Sequence, residues 1–253
     1  MRLSTAILGY SLTLLPLAAN AITNIESQRK AGDQPGLTGE LQLSVSGKSG
    51  NSDKQTTSVT GRLDYRQRQH QALAIAKSEY GESNDVKDVD NNFVHLRYML
   101  HRSARFAWES FVQYQDDSFN RLDSRTLLGG GARFNLSPGD QRYQLTVGVG
   151  AYYTQEVYQL DGTELRDDYA RANSYVSYSK QLTDSTWVSN TLYWQPRISR
   201  PSDRYVYNNF AVTVKINSAL ALKVTLETQY DSDPVANLDH TDHSYYTSLV
   251  YSF

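Results

Sequence analysis

Residues 219–230 read Ala-Leu-Ala-Leu-Lys-Val-Thr-Leu-Glu-Thr-Gln-Tyr, and their spacing decides the fold. Leu220, Leu222, Val224 and Leu226 fall on one face of an extended chain, while Lys223, Thr225, Glu227 and Gln229 fall on the other. That is an unbroken period of two, which no helix produces. The preceding segment repeats it, with Phe210, Val212, Val214 and Ile216 set against Asn209, Thr213 and Lys215. Farther upstream, Tyr143, Leu145, Val147, Val149 and Ala151 alternate with Gln144, Thr146, Gly148, Gly150 and Tyr152.

The same template finds twelve segments, near 37–46, 55–66, 71–81, 92–102, 104–115, 123–135, 141–154, 169–180, 185–196, 204–216, 219–230 and 243–253. The connections alternate, with short gaps around 67–70, 103, 136–140, 181–184 and 217–218. Longer ones fall near 47–54, 82–91, 116–122, 155–168, 197–203 and 231–242. An even strand number, short turns on one side and longer loops on the other describe a bacterial outer-membrane barrel with both chain ends in the periplasm. The expectation is an all-β chain, a transmembrane antiparallel up-and-down β-barrel of about 12 strands. Closure satisfies every backbone group inside the hydrocarbon, which an open sheet cannot do. Proline agrees: Pro138, Pro201 and Pro234 fall in turns or loops, Pro35 precedes the first strand and Pro196 closes the ninth.

The N-terminus supplies an address. Met1-Arg2 is a basic start, Leu3 to Leu17 is apolar apart from Ser and Thr, and Ala19-Asn20-Ala21 fits the small-x-small cleavage rule. The expected organisation is a signal peptide over 1–21, a polar periplasmic segment over 22–36 and an outer-membrane β-barrel over 37–253. Removing Arg2 with the signal takes the formal net charge from -2 to -3.

Composition fits this reading. The chain has 253 residues, 25 Lys+Arg against 27 Asp+Glu, no Cys and 19 Tyr, with a mean hydropathy of -0.57. Past the N-terminus no apolar run approaches the roughly 20 residues of a spanning helix, which excludes helical membrane bundles. The charge balance offers no basic footprint for nucleic acid, and the lack of Cys removes disulfides and thiolate chemistry. A barrel turns apolar residues to lipid and polar ones to its lumen, so a hydrophilic average is compatible with a membrane protein.

The chain ends His-Ser-Tyr-Tyr-Thr-Ser-Leu-Val-Tyr-Ser-Phe, with Tyr245, Thr247, Leu249, Tyr251 and Phe253 on one face. Tyr245, Leu249, Tyr251 and Phe253 resemble the insertion signal read by the barrel-assembly machinery. The expected partners are that machinery during biogenesis and outer-membrane lipid and lipopolysaccharide afterwards, with the protein a monomer of the Gram-negative envelope.

The phasing puts Glu40, Arg62, Asp64, Arg66, Lys77, Glu79, His95, Arg97, Glu109, Arg125, Arg133, Lys215, Lys223 and Glu227 on the lumen side. Both signs occur, which suits either a narrow channel or an ion-paired closed lumen, and twelve strands lie between filled and water-holding barrels. The rims differ. Outer loops carry Glu82, Asp85, Asp88, Asp90, Asp116, Asp117, Asp161, Glu164, Asp167, Asp168, Asp231, Asp233, Asp239 and Asp242; the periplasmic edge gathers Arg66, Arg68, Arg102, Arg105, Arg142 and Lys180. An acidic rim concentrates cations and can bridge divalent ions to lipopolysaccharide, although solvated loops are the commoner outcome. Arg197, Arg200 and Arg204 cluster in one loop, where lipid phosphates are candidate partners.

Enzymatic chemistry finds one candidate, Asp239-His240-Thr241-Asp242-His243-Ser244, in a loop with nothing to orient a base. No catalytic residue, metal site or cofactor is assigned. Finally, Gly50-Asn51-Ser52, Asp117-Ser118-Phe119 with Leu122 and Arg125, and Gly129, Gly131 and Arg133 resemble the salt-induced outer membrane protein family, a bacterial outer-membrane domain-of-unknown-function family. The resemblance covers roughly 37–253, departs from the family where Leu37-Thr38-Gly39 lacks a Trp, and implies an outer-membrane location linked to salt or osmotic conditions. The functional expectation is a non-enzymatic, porin-like narrow channel or envelope-stabilising protein. The alternatives are a porin for small acidic oligosaccharides and a lipid-modifying hydrolase built on the last outer loop.

Overall fold

A computed structural model describes residues 35–48, 54–118, 121–140, 142–160, 163–234 and 239–253. The expected signal peptide and nearly all of the polar segment after it lie outside these residues, as do Gly50, Asn51 and Ser52. The described chain forms twelve strands: β1 (Gly36–Lys48), β2 (Lys54–Gln67), β3 (His70–Ser83), β4 (Val86–His101), β5 (Phe106–Asp117), β6 (Leu122–Asn135), β7 (Tyr143–Leu160), β8 (Thr163–Gln181), β9 (Thr186–Arg197), β10 (Arg200–Lys215), β11 (Leu220–Asp231) and β12 (Thr241–Ser252). Each strand pairs antiparallel with its neighbours in sequence, and β1 pairs with β12 to close the barrel. All twelve segments of period two become strands.

The alternation of loop lengths does not hold. The end of the barrel where β1 starts and β12 finishes is called the near end here, and the opposite one the far end. At the far end β3 and β4 are joined by Asn84 and Asp85 alone, both with positive φ (49° and 62°), the signature of a tight two-residue hairpin. Residues 155–168, expected as a loop, instead pair with one another as the tips of β7 and β8, through Gln155↔Asp168, Glu156↔Asp167 and Val157↔Arg166. Charged residues fall on both faces of this hairpin, so no alternation marks it as a strand. Pro201, expected in a loop, lies within β10, where the register with β9 shifts between Arg200 and Arg204. A missing N–H is tolerated at such a break in the ladder.

The wall shows two faces. Leu41, Leu43, Val94, Leu96, Leu128, Val224 and Leu226 point outward and stay exposed. Tyr65, Tyr98, Trp108, Phe134, Tyr251 and Phe253 ring this apolar band toward the near end, and Tyr80, Tyr114, Tyr153, Trp194 and Tyr245 toward the far end. Aromatic girdles flanking an apolar band are what a barrel wall in lipid carries.

The closing seam depends on the last residue. The Gly39 amide donates to the Phe253 oxygen at 2.9 Å, and the Phe253 amide donates to the Gly39 carbonyl at 3.0 Å. The Phe253 ring lies over Gly39 so closely that a Cβ there would meet it at 2.3 Å. An aromatic covering a strand glycine in this way shields the seam's hydrogen bonds and fixes its register. Phe253→Ser is therefore expected to cut the yield of assembled barrel several-fold, read as the heat-modifiable fraction on gels; wild-type assembly in that variant would refute this role.

Candidate functional site

Inward-facing side chains fill the barrel in layers, and the central layer is built around Gly148 on β7. Tyr175, its neighbour on β8, lays its ring over that glycine; a Cβ at Gly148 would stand 2.0 Å from the ring. The ring thereby crosses β7 and β6, and its hydroxyl donates to Glu109 on β5, 3.2 Å from either carboxylate oxygen. Arg97 of β4 pairs with the same carboxylate at 3.0 Å, and Arg133 of β6 donates to the Tyr175 hydroxyl at 2.9 Å and to Thr146 at 3.3 Å. Five adjacent strands are thus tied across their inner faces by one network.

Aromatic rings pack around that network. Tyr193 packs in a tilted arrangement 5.2 Å from Tyr175 and 6.3 Å from Tyr207, ring centre to ring centre. His95 lies between Phe93 and Phe111 and meets Gln113 at 3.1 Å. His95, Tyr193 and Gln195 are 0% exposed and Gln113 is 1% exposed. Inward polar groups along a water column keep contact with solvent, whereas these have no water-sized space against them. Around the waist, inward side chains thus cover one another.

A second layer lies toward the far end. Arg125 meets Glu156 at 2.7 Å, and that carboxylate also accepts from Tyr158 and Tyr169. Arg171 pairs with Asp203 at 2.6 Å and donates to the Gln195 carbonyl. Arg197 reaches Asp167 at 3.0 Å, and Arg200 reaches Asp203 at 3.2 Å as well as Asp233. Arg197 and Arg200, expected to meet lipid phosphates, are thus neutralised by acids of the protein itself. Part of the acidic rim is likewise paired, through Lys87–Asp90 and Arg166–Glu164. Among the described residues no group of three His, Cys, Asp or Glu is placed to hold a metal ion.

The near end is more open. Arg62 bridges Asp64 at 2.9 Å and Glu40 at 3.8 Å, with Gln71 donating to Asp64. Beyond them a cavity of about 790 Å³ opens at the mouth, with Arg66, Arg68, Arg102, Arg105 and Arg133 among its lining. A second cavity of about 430 Å³ adjoins it and takes in Lys215 and Lys223.

Of the side chains assigned to the lumen from sequence, Arg62, Asp64, His95, Arg97, Glu109, Arg125, Lys223 and Glu227 are buried inside the barrel. Lys77 and Glu79 pair at 2.8 Å and are half-buried, as are Glu40, Arg66 and Arg133. Lys215 is exposed at the near rim, over the Trp187 ring. Tyr245, Leu249, Tyr251 and Phe253 all face outward and are exposed. Sequence reading overlooked Glu156, Arg171, Tyr175 and Asp203. Their phase was available, since Arg171, Asn173 and Tyr175 alternate on one face of β8, but no apolar partners marked it.

The residues considered for enzymatic chemistry do not converge. His240 meets the Asp231 carbonyl, and His243 meets Thr228 on the outer face. Ser244, next along β12, points to the opposite face, so alternation separates base from hydroxyl.

Comparison with known proteins bears on the fold and the family. The family model described as "Protein of unknown function, DUF481" matches residues 41–253. The translocator domain of autotransporter NalP from Neisseria meningitidis superposes with a TM-score of 0.56 at 10% identity, covering 87% of this chain and 89% of that one. The NanC porin superposes with a TM-score of 0.52 at 11% identity, covering 85% and 98%. No curated protein matches this chain in sequence.

Proposed function

The chain belongs to the DUF481 family, and from that membership and the filled waist we propose that it is a non-enzymatic outer-membrane barrel that stabilises the envelope with its lumen closed. The observation that carries the reading is the near-zero exposure of His95, Gln113, Tyr193 and Gln195 inside the barrel. Residues 1–21 act as the cleaved signal peptide, the near end faces the periplasm, and the far-end hairpins stand outside. Barrel-assembly machinery inserts the chain through its last strand, and lipid with lipopolysaccharide surrounds a monomer. The resemblance to salt-induced outer membrane proteins supports a role under salt or osmotic conditions.

A narrow, gated channel is the second reading. It is favoured by one feature: the waist is closed by side chains such as Tyr175 and Arg97, which can change rotamer, and the near-end cavity leads down to them. A porin for acidic oligosaccharides draws less support, because Arg97 faces Glu109 and Arg62 faces Asp64 and Glu40, leaving little net positive charge in the constriction. A hydrolase draws least, given the separation of His243 from Ser244.

Planar-bilayer recording tests the proposal. The wild-type protein should show no steady conductance, and Tyr175→Ala combined with Tyr193→Ala should create ion-conducting openings. Steady wild-type openings would overturn the closed lumen and favour the channel.

A further inference from the structure

The near-end mouth carries a concentration of charge that the closed lumen does not use. Six arginine side chains, Arg62, Arg66, Arg68, Arg102, Arg105 and Arg133, line the cavity of about 790 Å³ against two carboxylate side chains, Glu40 and Asp64. Both carboxylates face Arg62, deep in the cavity. At the rim, Arg68 sits in the β2–β3 turn and Arg102 and Arg105 in the β4–β5 turn. None of these three guanidinium groups meets a carboxylate among the described residues. The far end is different, because there Arg171, Arg197 and Arg200 each meet an aspartate.

A structural role for the rim arginines would place carboxylates beside them, as at the far end. Instead they stand around an enclosure with Arg133 at its floor, where Arg133 is held by Tyr175 and Thr146. Arginine forks around a concave mouth suit anions that present several oxygens, above all phosphates, which accept bidentate charge-assisted bonds. The volume admits a small ligand and its remaining water, since a water occupies about 30 Å³. It leaves no room for a folded domain.

We propose that the near-end mouth is a binding site for a small multivalent phosphate-bearing anion, gripped by Arg102 and Arg105 at the rim and by Arg133 at the floor. The site does not depend on conduction or on the envelope role; only its placement on the periplasmic side rests on the orientation proposed above. The phosphate chemistry has two sources, a free soluble anion and the headgroup of an anionic phospholipid. The enclosure favours the soluble one, because an acyl-bearing headgroup would have to leave the bilayer plane to reach Arg133.

The test uses the full-length barrel in zwitterionic nanodiscs at low ionic strength, with inorganic tripolyphosphate as the probe and calorimetry as the readout. Saturable one-site binding is expected. It should weaken at least about tenfold in Arg102→Gln/Arg105→Gln, where two charge-assisted bonds are lost. Arg142→Gln, at the near end but lining only the second cavity, should change it less than about twofold by the same reasoning. Both variants lie in turns outside the waist network, and heat-modifiability verifies that they fold. Absence of saturable binding overturns the proposal, as does equal weakening by the Arg142 control. If anionic phospholipid nanodiscs abolish tripolyphosphate binding while native mass spectrometry retains lipid lost in the double variant, the soluble ligand is also refuted. Conductance is not read in any arm, so failure here leaves the closed-lumen reading separately testable.

Discussion

Gly148→Val should fail to form a stable barrel. The first atom of any side chain at this position would stand 2.0 Å from the Tyr175 ring, which could make room only by giving up the contacts that hold it. Its hydroxyl is fixed by Glu109 and Arg133 on one side, and its face is packed against Tyr193 on the other. Overpacking a tight core costs about 1–3 kcal/mol by itself. Displacing Tyr175 adds the loss of its bonds to a buried carboxylate, of order 1.5–3 kcal/mol. The total is expected at about 2.5–6 kcal/mol, measured as the shift in urea unfolding in lipid vesicles. The double variant Gly148→Val/Tyr175→Ala removes the clash and should recover much of the loss. If the single variant were as stable as wild type, the ring would not lie where the structure places it.

The second large effect concerns Arg97 and Glu109, whose side chains are each only 2% exposed. Removing one partner leaves the other charge buried without its counterion, and Arg97→Ala should destabilise the barrel by about 3–5 kcal/mol. Arg97→Met with Glu109→Leu replaces both charges by apolar groups of similar size. That pair should cost much less than the single variant, because no uncompensated charge remains. It nevertheless deprives Tyr175 of its acceptor, so the double variant should also leak ions in a bilayer more readily than wild type. A double variant as unstable as Arg97→Ala, in the same urea assay, would show that the charge pair is not what holds the waist.

How much of this was legible beforehand varies by element. The reading of 219–230 places Lys223 and Glu227 inward and Leu222, Val224 and Leu226 outward, and the structure has them so. In contrast, residues 155–168 are dense in Glu, Asp and Arg and read as a loop, although they form a paired hairpin. Period two reports a strand only where its two faces differ, and here charged residues fall on both: Glu156 and Asp167 on one, Arg166 and Asp168 on the other. Arg171 and Asp203 were missed as partners because β9 lies between their strands in sequence and nothing local links them. Their pairing follows from an arginine long enough to reach across the inner face of β9, where it also bonds the Gln195 carbonyl.

Strand count, antiparallel order and the two faces of the wall are legible in the sequence, because each follows from a period of two and from neighbours in the chain. Which inward side chains meet across the interior emerges only in the folded barrel. Glu109 and Tyr175 are 66 residues apart and come together only once the barrel's curvature has turned their strands toward each other and Gly148 has left the ring a place to lie. Inward direction is a local property of a strand. Whether inward side chains meet depends on the width of the closed barrel and on the space each neighbour leaves, and neither quantity is written in any single segment.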